Sequence, residues 1–586
     1  RPGVSEQQGE GNDRRLKPAK GRCTMYWMIA LLTLAAATAP AAPEQGISID
    51  GQRMTVRTTS VEAVFDGPAI VSLRGIGNPI EFIHSKASAH AIDLFYLNGN
   101  TLGQDKHQTV SVRKLSSAAA RIVVHGADSQ RSLLVAIDTE TGDIRVTPDG
   151  ISNRRGLQAV GWRMPIHPEA TVILPVVNGM QIASDRPHPP GGRFPWPFKW
   201  EAQLAIAQRS GSCMMIHCQD RAFQFKALRV AREGDRTELC FESEPPGPLW
   251  QNRTAGGIEW RINVYRGDWK VPATRYRDWM ADAYDLANKR RSRPAWVEKI
   301  TLAACWSPAS EELLDALAAV HPPEETLIHL SGWRTEKYDV NYPDYTPSEK
   351  DLKFMAKARG AGFHVMPHFN YFAVYYEHPF YQEVRDFQIR SVGRNEPEGW
   401  HWPPETHDYT RMGYIHPGLG VWRNKLIDVV LDACSKMGTD AAFIDQTLCT
   451  WNTDNGLVEG MNTIEGMHLL QEEFAAVRPD LMLAGEGLNE ISFQRQCFAQ
   501  AHIHDGWGKL EPKHVGAAHS ICSFLWAGHT KLIGYYHLRP GQEGFELGIE
   551  LYERMGALPT ITTGNPKDLL EMSAATKRIF DRAKHK

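Results

Sequence analysis

Neither positive nor negative charge is in marked excess in this sequence. Over 586 residues Lys+Arg number 65 and Asp+Glu 68, a formal net charge of −3, and no basic stripe gathers along the chain. The electrostatic footprint of a nucleic-acid binder is therefore absent, and no nucleic-acid partner is expected. No Walker loop and no GxGxxG follows a strand candidate, so no nucleotide cofactor is implied and no cofactor is expected. The nine cysteines form no CxxC pair and no zinc-finger spacing. Cys213, Cys218 and Cys240 sit in strand-like runs; a disulfide can form there in an exported protein, but buried free thiols are the commoner outcome. No apolar run reaches the roughly 20 residues of a spanning helix, so no stable membrane span is expected.

One greasy stretch is present, from Tyr26 to Ala39. Arg14, Arg15, Lys17, Lys20 and Arg22 precede it, and Ala39-Pro40-Ala41 closes it. Basic flank, short apolar core and small-residue exit describe a secretory signal peptide. Residues 1–41 are read as an upstream segment and signal, carrying Cys23, with cleavage after Ala41 and export to the periplasm or outside the cell. Met25 is a candidate start within this segment, and starting there would leave the apolar run and its exit as the signal. The competing reading is a buried N-terminal helix.

The remainder has the balance of a globular protein, 42% hydrophobic and 23% charged, and is long enough for more than one domain. Residues 44–268 alternate with a period of two. Runs such as AARIVVHG (119–126), SLLVAID (132–138), TVILPVV (171–177) and IEWRINVY (258–265) are short, β-branched and punctuated by turn residues. Many short strands without helical segments predict an antiparallel β-sandwich. Within it the Pro-rich piece 185–200 (DRPHPPGGRFPWPFKW) is read as an ordered loop that covers a sandwich edge or overhangs a ligand cleft. Residues 269–296 change period: Tyr276, Trp279, Met280 and Tyr284 share one helical face, with Pro272 in the first turn.

From residue 297 to 586 the pattern becomes strand, loop, helix, repeated. Eight strand candidates follow: 300–306, 326–333, 364–372, 441–447, 481–487, 502–507, 531–537 and 558–564. Several are near-continuous apolar runs, as parallel strands covered on both faces should be. Eight β/α units predict a (β/α)8 TIM barrel, in which chemistry sits at the C-terminal strand ends. The residues closing the strands are Trp306, Trp333, Arg334, His368, Asn370, Asp445, Gln446, Glu486, His504, Asp505 and His537. Exposure explains any one of them, but a polar ring at one rim is what an active site requires.

Asp445 and Glu486 close consecutive strand candidates. Neighbouring strands lie about 4.8 Å apart, so the carboxyls can reach the roughly 5–5.5 Å separation of a retaining glycosidase pair. One carboxylate attacks the anomeric carbon while the other, protonated, releases the leaving oxygen. Burial and mutual repulsion should raise one pKa, expected to be that of Glu486. A structural ion pair is the competing reading. Trp306, Trp333 and Trp451 can stack on sugar faces, and His368, Asn370, Gln446, Asn452 and His537 can donate to hydroxyls. Core packing would equally occupy Trp306 but suits Trp451, in a loop of Thr, Asn and Asp, less well, and loop capping would equally occupy each of the polar residues.

The linker helix, Phe-Ile-Asp-Gln at the fourth strand and Gly-Glu-Gly at the fifth resemble secreted glycoside-hydrolase barrels. The first domain resembles the galactose-mutarotase-like sandwich that precedes many of them. The nearest patterns are endo-α-N-acetylgalactosaminidases and, more remotely, α-amylases. That resemblance implies Asp445 as nucleophile, Glu486 as acid/base, an α-linkage and an oligo- or polysaccharide substrate. The stretches 329–345, 366–372 and 445–462 also resemble an uncharacterised family of this type. The chain departs from the characterised enzymes in ending one helix after the eighth strand, without a C-terminal β-domain. In α-galactosidase-like barrels the acid is an Asp after strand six, here Asp505. Glu486 ranks ahead because Gly485 and Gly487 free the backbone around it for close substrate approach; Asp505 remains a substrate-ligand candidate. Two other classes stay open. One is a glycan-binding protein without catalysis. The other is a metal-dependent barrel hydrolase using His502 and His504, although no metal ligand set is apparent.

Overall fold

The structure, a computed structural model, describes residues 45–84, 91–103, 107–183, 191–234, 236–291, 293–370, 372–402, 411–447, 450–501 and 509–584. The expected signal segment with Cys23, and the residues His502, His504 and Asp505, lie outside the described residues.

The first half is all β, from Gly46–Asp50 to Trp260–Arg266. A ten-stranded and a six-stranded antiparallel sheet face each other, and a four-stranded meander spans the first strands. Strand Ile144–Ser152 alternates buried positions with half-buried or exposed ones along its length, the pattern of a sheet with one covered face. Between the two large sheets Trp260 meets Trp200 at 6.0 Å and Phe241 at 5.0 Å between ring centroids. Ser212–Cys218 is buried at every position because the helix Lys270–Ala283 covers its second face, with Tyr276 edge-on to His217. That helix buries Pro272, Ala273, Tyr276 and Met280. Trp279 packs half-buried against Tyr276 and Tyr284. The seven described cysteines are buried free thiols.

Eight parallel strands follow. We label them β1 (Leu302–Pro308), β2 (Thr326–Gly332), β3 (His364–Asn370), β4 (Ala441–Asp445), β5 (Met482–Glu486), β6 (Gln496–Gln500), β7 (Lys531–Ile533) and β8 (Thr560–Thr562). Each pairs with the next from β1 to β7, and β8 pairs with β1. Between β7 and β8 the wall is joined by the Leu558 N–H donating to the Leu532 carbonyl, 2.8 Å. The Gly534 N–H adds a bond to the Thr560 hydroxyl, 2.9 Å. This nearly closed barrel behind a β-sandwich is the expected architecture, with one strand corrected: the sixth is Gln496–Gln500, not residues 502–507. QCFAQ has no β-branched residue, which hid it in the sequence, yet it is buried throughout and pairs with β5 and β7.

Period two sorts the strand residues. Ala303, Cys305, Leu327, Met366, Ala441, Phe443, Met482, Ala484, Phe498 and Ile533 form a cluster of their own inside the barrel. Residues two further along the same strands must face the same lumen: His329 and His368 after Leu327 and Met366, then Asn370, Asp445, Glu486 and Gln500. The apolar plug thus gives way to a polar layer towards the C-terminal rim.

Candidate active site

Register fixes which polar groups meet. Asn370 pairs with Asp445 across β3 and β4, and Ile444 pairs with Gly485 across β4 and β5, which sets Asp445 beside Glu486. Glu486 in turn pairs with Gln500. Side chains at paired positions of parallel strands project the same way, so four polar groups form one row. The two carboxyls, both buried, stand close enough for Glu486 to act on Asp445. Asn370 donates to the Gln446 carbonyl oxygen, 3.2 Å, and the Gln446 amide donates to the Tyr414 hydroxyl, 3.1 Å.

Asp445 titrates well above the ordinary aspartate range. Burial is the first cause, the charge of Glu486 the second and that of Asp339 the third. The sequence-based expectation put the raised pKa on Glu486. The structure shows both causes, burial and neighbouring acids, acting on Asp445.

Above the pair opens a cavity of about 980 Å³, at the large end of the roughly 300–1,000 Å³ of small-molecule sites. It is walled by parts distant in sequence. Trp400 and Tyr414 come from a small antiparallel sheet (Ala373–Tyr375, Gly399–Trp400, Met412–Tyr414) inserted after β3, and Trp402 lies just beyond its Gly399–Trp400 strand. Tyr535, Tyr536 and His537 follow β7. The sandwich supplies Val177, Asn178, Phe198, Lys199 and Glu201. The Pro-rich piece does both things considered for it: Gly192–Trp196 adds an edge strand to the six-stranded sheet, and the residues just beyond reach the cavity.

Of the predicted residues, Trp306, Asn370, Asp445, Gln446, Trp451, Glu486 and His537 line this cavity. Four do not. The Trp333 indole donates to the His368 carbonyl, 3.0 Å, and packs edge-on against Phe369, so it is core. The Arg334 guanidinium bonds the carbonyls of Lys337, Val340 and Asp344, pinning the loop after β2. His368 lies one layer below the pair, its Nε2 3.8 Å from Asp445 Oδ2. Asn452 donates to Glu244, 2.6 Å, and accepts from the Gly247 N–H, 2.9 Å, tying a barrel loop to the sandwich. Gly485 needs correction as well. A Cβ there would meet Thr447 Oγ1 at 2.2 Å and Gln496 Nε2 at 2.4 Å, so its bareness serves interstrand packing, not substrate approach. Gly487, at φ +72°, does line the cavity.

Asp339, Tyr338, Trp400 and Trp402 escaped the sequence reading because they sit in long loops rather than at strand ends. Asp339 accepts the Trp402 indole N–H at 2.7 Å. A left-handed backbone recurs around this rim at residues that disfavour it: Trp306 (φ 55°), Arg334 (77°), Asp339 (58°), Gln446 (59°) and His537 (57°). Such strain costs about 1–3 kcal/mol per residue and gathers where side chains must be aimed.

A sequence-family model described as a domain of unknown function (DUF6259) matches residues 258–456. No curated protein matches the chain by sequence. Among solved structures, the ligand-free α-N-acetylgalactosaminidase NagBb from Bifidobacterium bifidum superposes with a TM-score of 0.65 at 13% identity, covering 92% of each chain. Its complex with Gal-NHAc-DNJ gives 0.63 at 14%, again over 92% of each chain. A GH31 family sulfoquinovosidase from E. rectale gives 0.50 at 11%, over 92% of this chain and 82% of that one. The structural neighbours are thus glycoside hydrolases, and at these identities what the chain shares with them is the fold.

Proposed function

We propose that the protein is an exported retaining glycoside hydrolase acting on an oligo- or polysaccharide at an α-linkage. The observation that carries this reading is the placement of the Asp445 and Glu486 carboxyls side by side on adjacent strands at the floor of an aromatic-walled cavity. An inverting pair stands about 6.5–9.5 Å apart to hold a water, whereas carboxyls side by side on strands about 4.8 Å apart fit the roughly 5–5.5 Å class. The α-linkage is supported by the resemblance of the strand-four and strand-five motifs and by the activity for which NagBb is named.

In this reading a sugar enters the cavity with Asp445 ionised and the proton on Glu486. Asp445 then attacks the anomeric carbon as Glu486 protonates the departing oxygen. Glu486 next takes a proton from water, which releases the sugar with its configuration retained. The raised pKa of Asp445 favours a second assignment with the roles exchanged, Asp445 the acid and Glu486 the nucleophile.

One series of measurements tests both. Chromogenic α-glycosides should be cleaved, and proton NMR should show a first product with the substrate's configuration; inversion rules out both assignments. Asp445→Asn should be inactive. Glu486→Ala should spare substrates with good leaving groups, and azide should accelerate it to a glycosyl azide of retained configuration. If azide instead yields that retained product from Asp445→Ala, the exchanged roles hold. Binding across a glycan panel without turnover would leave a glycan-binding protein.

A further inference from the structure

Directly beneath the carboxyl pair, the lumen holds two histidines that a two-carboxylate reaction does not use. His329 and His368 are buried and both pack against Phe443, with ring centroids 4.2 and 5.4 Å from it. Their nitrogens link in series. His329 Nδ1 lies 3.4 Å from the Trp306 backbone nitrogen and 3.4 Å from the Gln500 side-chain amide nitrogen. His329 Nε2 lies 3.1 Å from His368 Nδ1. His368 Nε2 lies 3.2 Å from the Tyr338 hydroxyl and 3.8 Å from Asp445 Oδ2.

The direction of this series follows from one group that cannot reverse. A backbone N–H only donates, so the Trp306 N–H forces His329 Nδ1 to accept. A neutral His329 then carries its proton on Nε2 and donates it to His368 Nδ1. His368 in turn carries its proton on Nε2 and donates to the Tyr338 oxygen. With that lone pair occupied, the phenolic proton must point elsewhere, and Tyr338 lines the cavity. Trp306 holds the starting N–H in place with a left-handed backbone, φ 55°.

We propose that Trp306 N–H, His329, His368 and Tyr338 form a one-way hydrogen-bond chain that holds the Tyr338 hydroxyl as a fixed donor into the cavity beside Asp445. Its use rests on the glycosidase reading, in which Asp445 must be ionised at the moment of attack. An uncharged, pre-aimed donor favours that anion in a dry site at no cost of reorganisation. Protonation of either ring would reverse a link, and burial prevents it: His329 is pushed down to about 3 and His368 well below its ordinary range. Tyr338 is the member of the chain that lines the cavity; the two histidines are positioning residues.

Nitrogen NMR of the full-length protein carrying 15N-histidine tests the chain without relying on activity. His329→Gln and His368→Gln assign the signals by loss. Both rings should be neutral Nε2–H tautomers, unchanged between about pH 5 and 8. An Nδ1–H tautomer in either ring, or titration within that range, overturns the proposal. Kinetics supply the second arm. Tyr338→Phe should lower kcat/KM about 10–100-fold, mostly through kcat. His368→Leu should cost a similar factor, and His368→Gln, which keeps an N–H donor, should recover part of it. The Tyr338→Phe, His368→Leu double variant should be no slower than the slower single variant, and multiplying losses would overturn the chain. If the wild type turns over no glycoside, the glycosidase reading fails, and the NMR result still decides the chain.

Discussion

The Glu490 N–H donates to the Glu201 carbonyl across 2.9 Å, so the segment that carries Glu486 out of β5 hangs from the sandwich. The Glu490 carboxylate strengthens the joint, accepting the Gln203 backbone N–H at 3.1 Å, the Gln203 amide at 2.7 Å and the Tyr276 hydroxyl. Sandwich, linker helix and barrel thus meet on one buried acid four residues beyond Glu486. Glu490→Ala should leave those donors buried and unmatched. It should destabilise the protein by about 2–4 kcal/mol, read by urea denaturation of the full chain, and lower kcat together with it.

Glu201 gives a pH prediction. This buried acid lines the cavity, and its pKa stands well above 4.5: burial outweighs the N–H groups of Asn178, Val177 and Glu201 itself that favour the anion. Below pH 4.5 both folded and unfolded states are protonated and the group has no effect. Above it the unfolded chain ionises while the folded one does not, so stability falls as pH rises, until the folded pKa is passed. The slope is at most about 1.4 kcal/mol per pH unit for one group. Glu201→Gln keeps an acceptor for the Asn178 N–H and removes the titration. Unfolding free energies from pH 5 to 7 should fall less steeply in the variant; parallel slopes would count against the raised pKa.

Much of this was legible before the structure. Period-two runs announced the sandwich, and apolar runs closed by Asp, Glu or Asn placed β3, β4 and β5. β6 was missed because QCFAQ carries no β-branched residue, and the alternating HIHDGW that follows drew the strand assignment instead. Asp339 was missed for a different reason: lumen-facing acids follow from period two, but a loop acid reaches the cavity only through its own turn and its bond to Trp402. The sandwich contribution from Phe198, Lys199 and Glu201 is a property of docking, which no local pattern encodes.

Gly485 predicts a coupling between packing and rate. A methyl group there would overlap Thr447 and Gln496, and neither can retreat from between two strands. Gly485→Ala should cost about 1–3 kcal/mol of stability. It should also displace Glu486, lowering kcat on substrates with poor leaving groups more than on those with good ones. Equal losses on both would mean that the acid group has not moved.

Asp339 gives the most direct test of how the pair is tuned. Its anion is one of three causes that raise Asp445, after burial and Glu486. Asp339→Asn keeps an oxygen to accept the Trp402 N–H but removes the charge. The carboxyl pair, titrating as a coupled unit, should then ionise at lower pH. In the proposed mechanism the acid limb of kcat/KM reports that ionisation in the free enzyme, so it should move to lower pH. Substrates with good leaving groups show it best, because they do not require the second carboxyl as an acid. An unmoved or raised acid limb would mean that Asp339 does not act on Asp445 through its charge, and its place in the cavity would then be read through contact with the sugar alone.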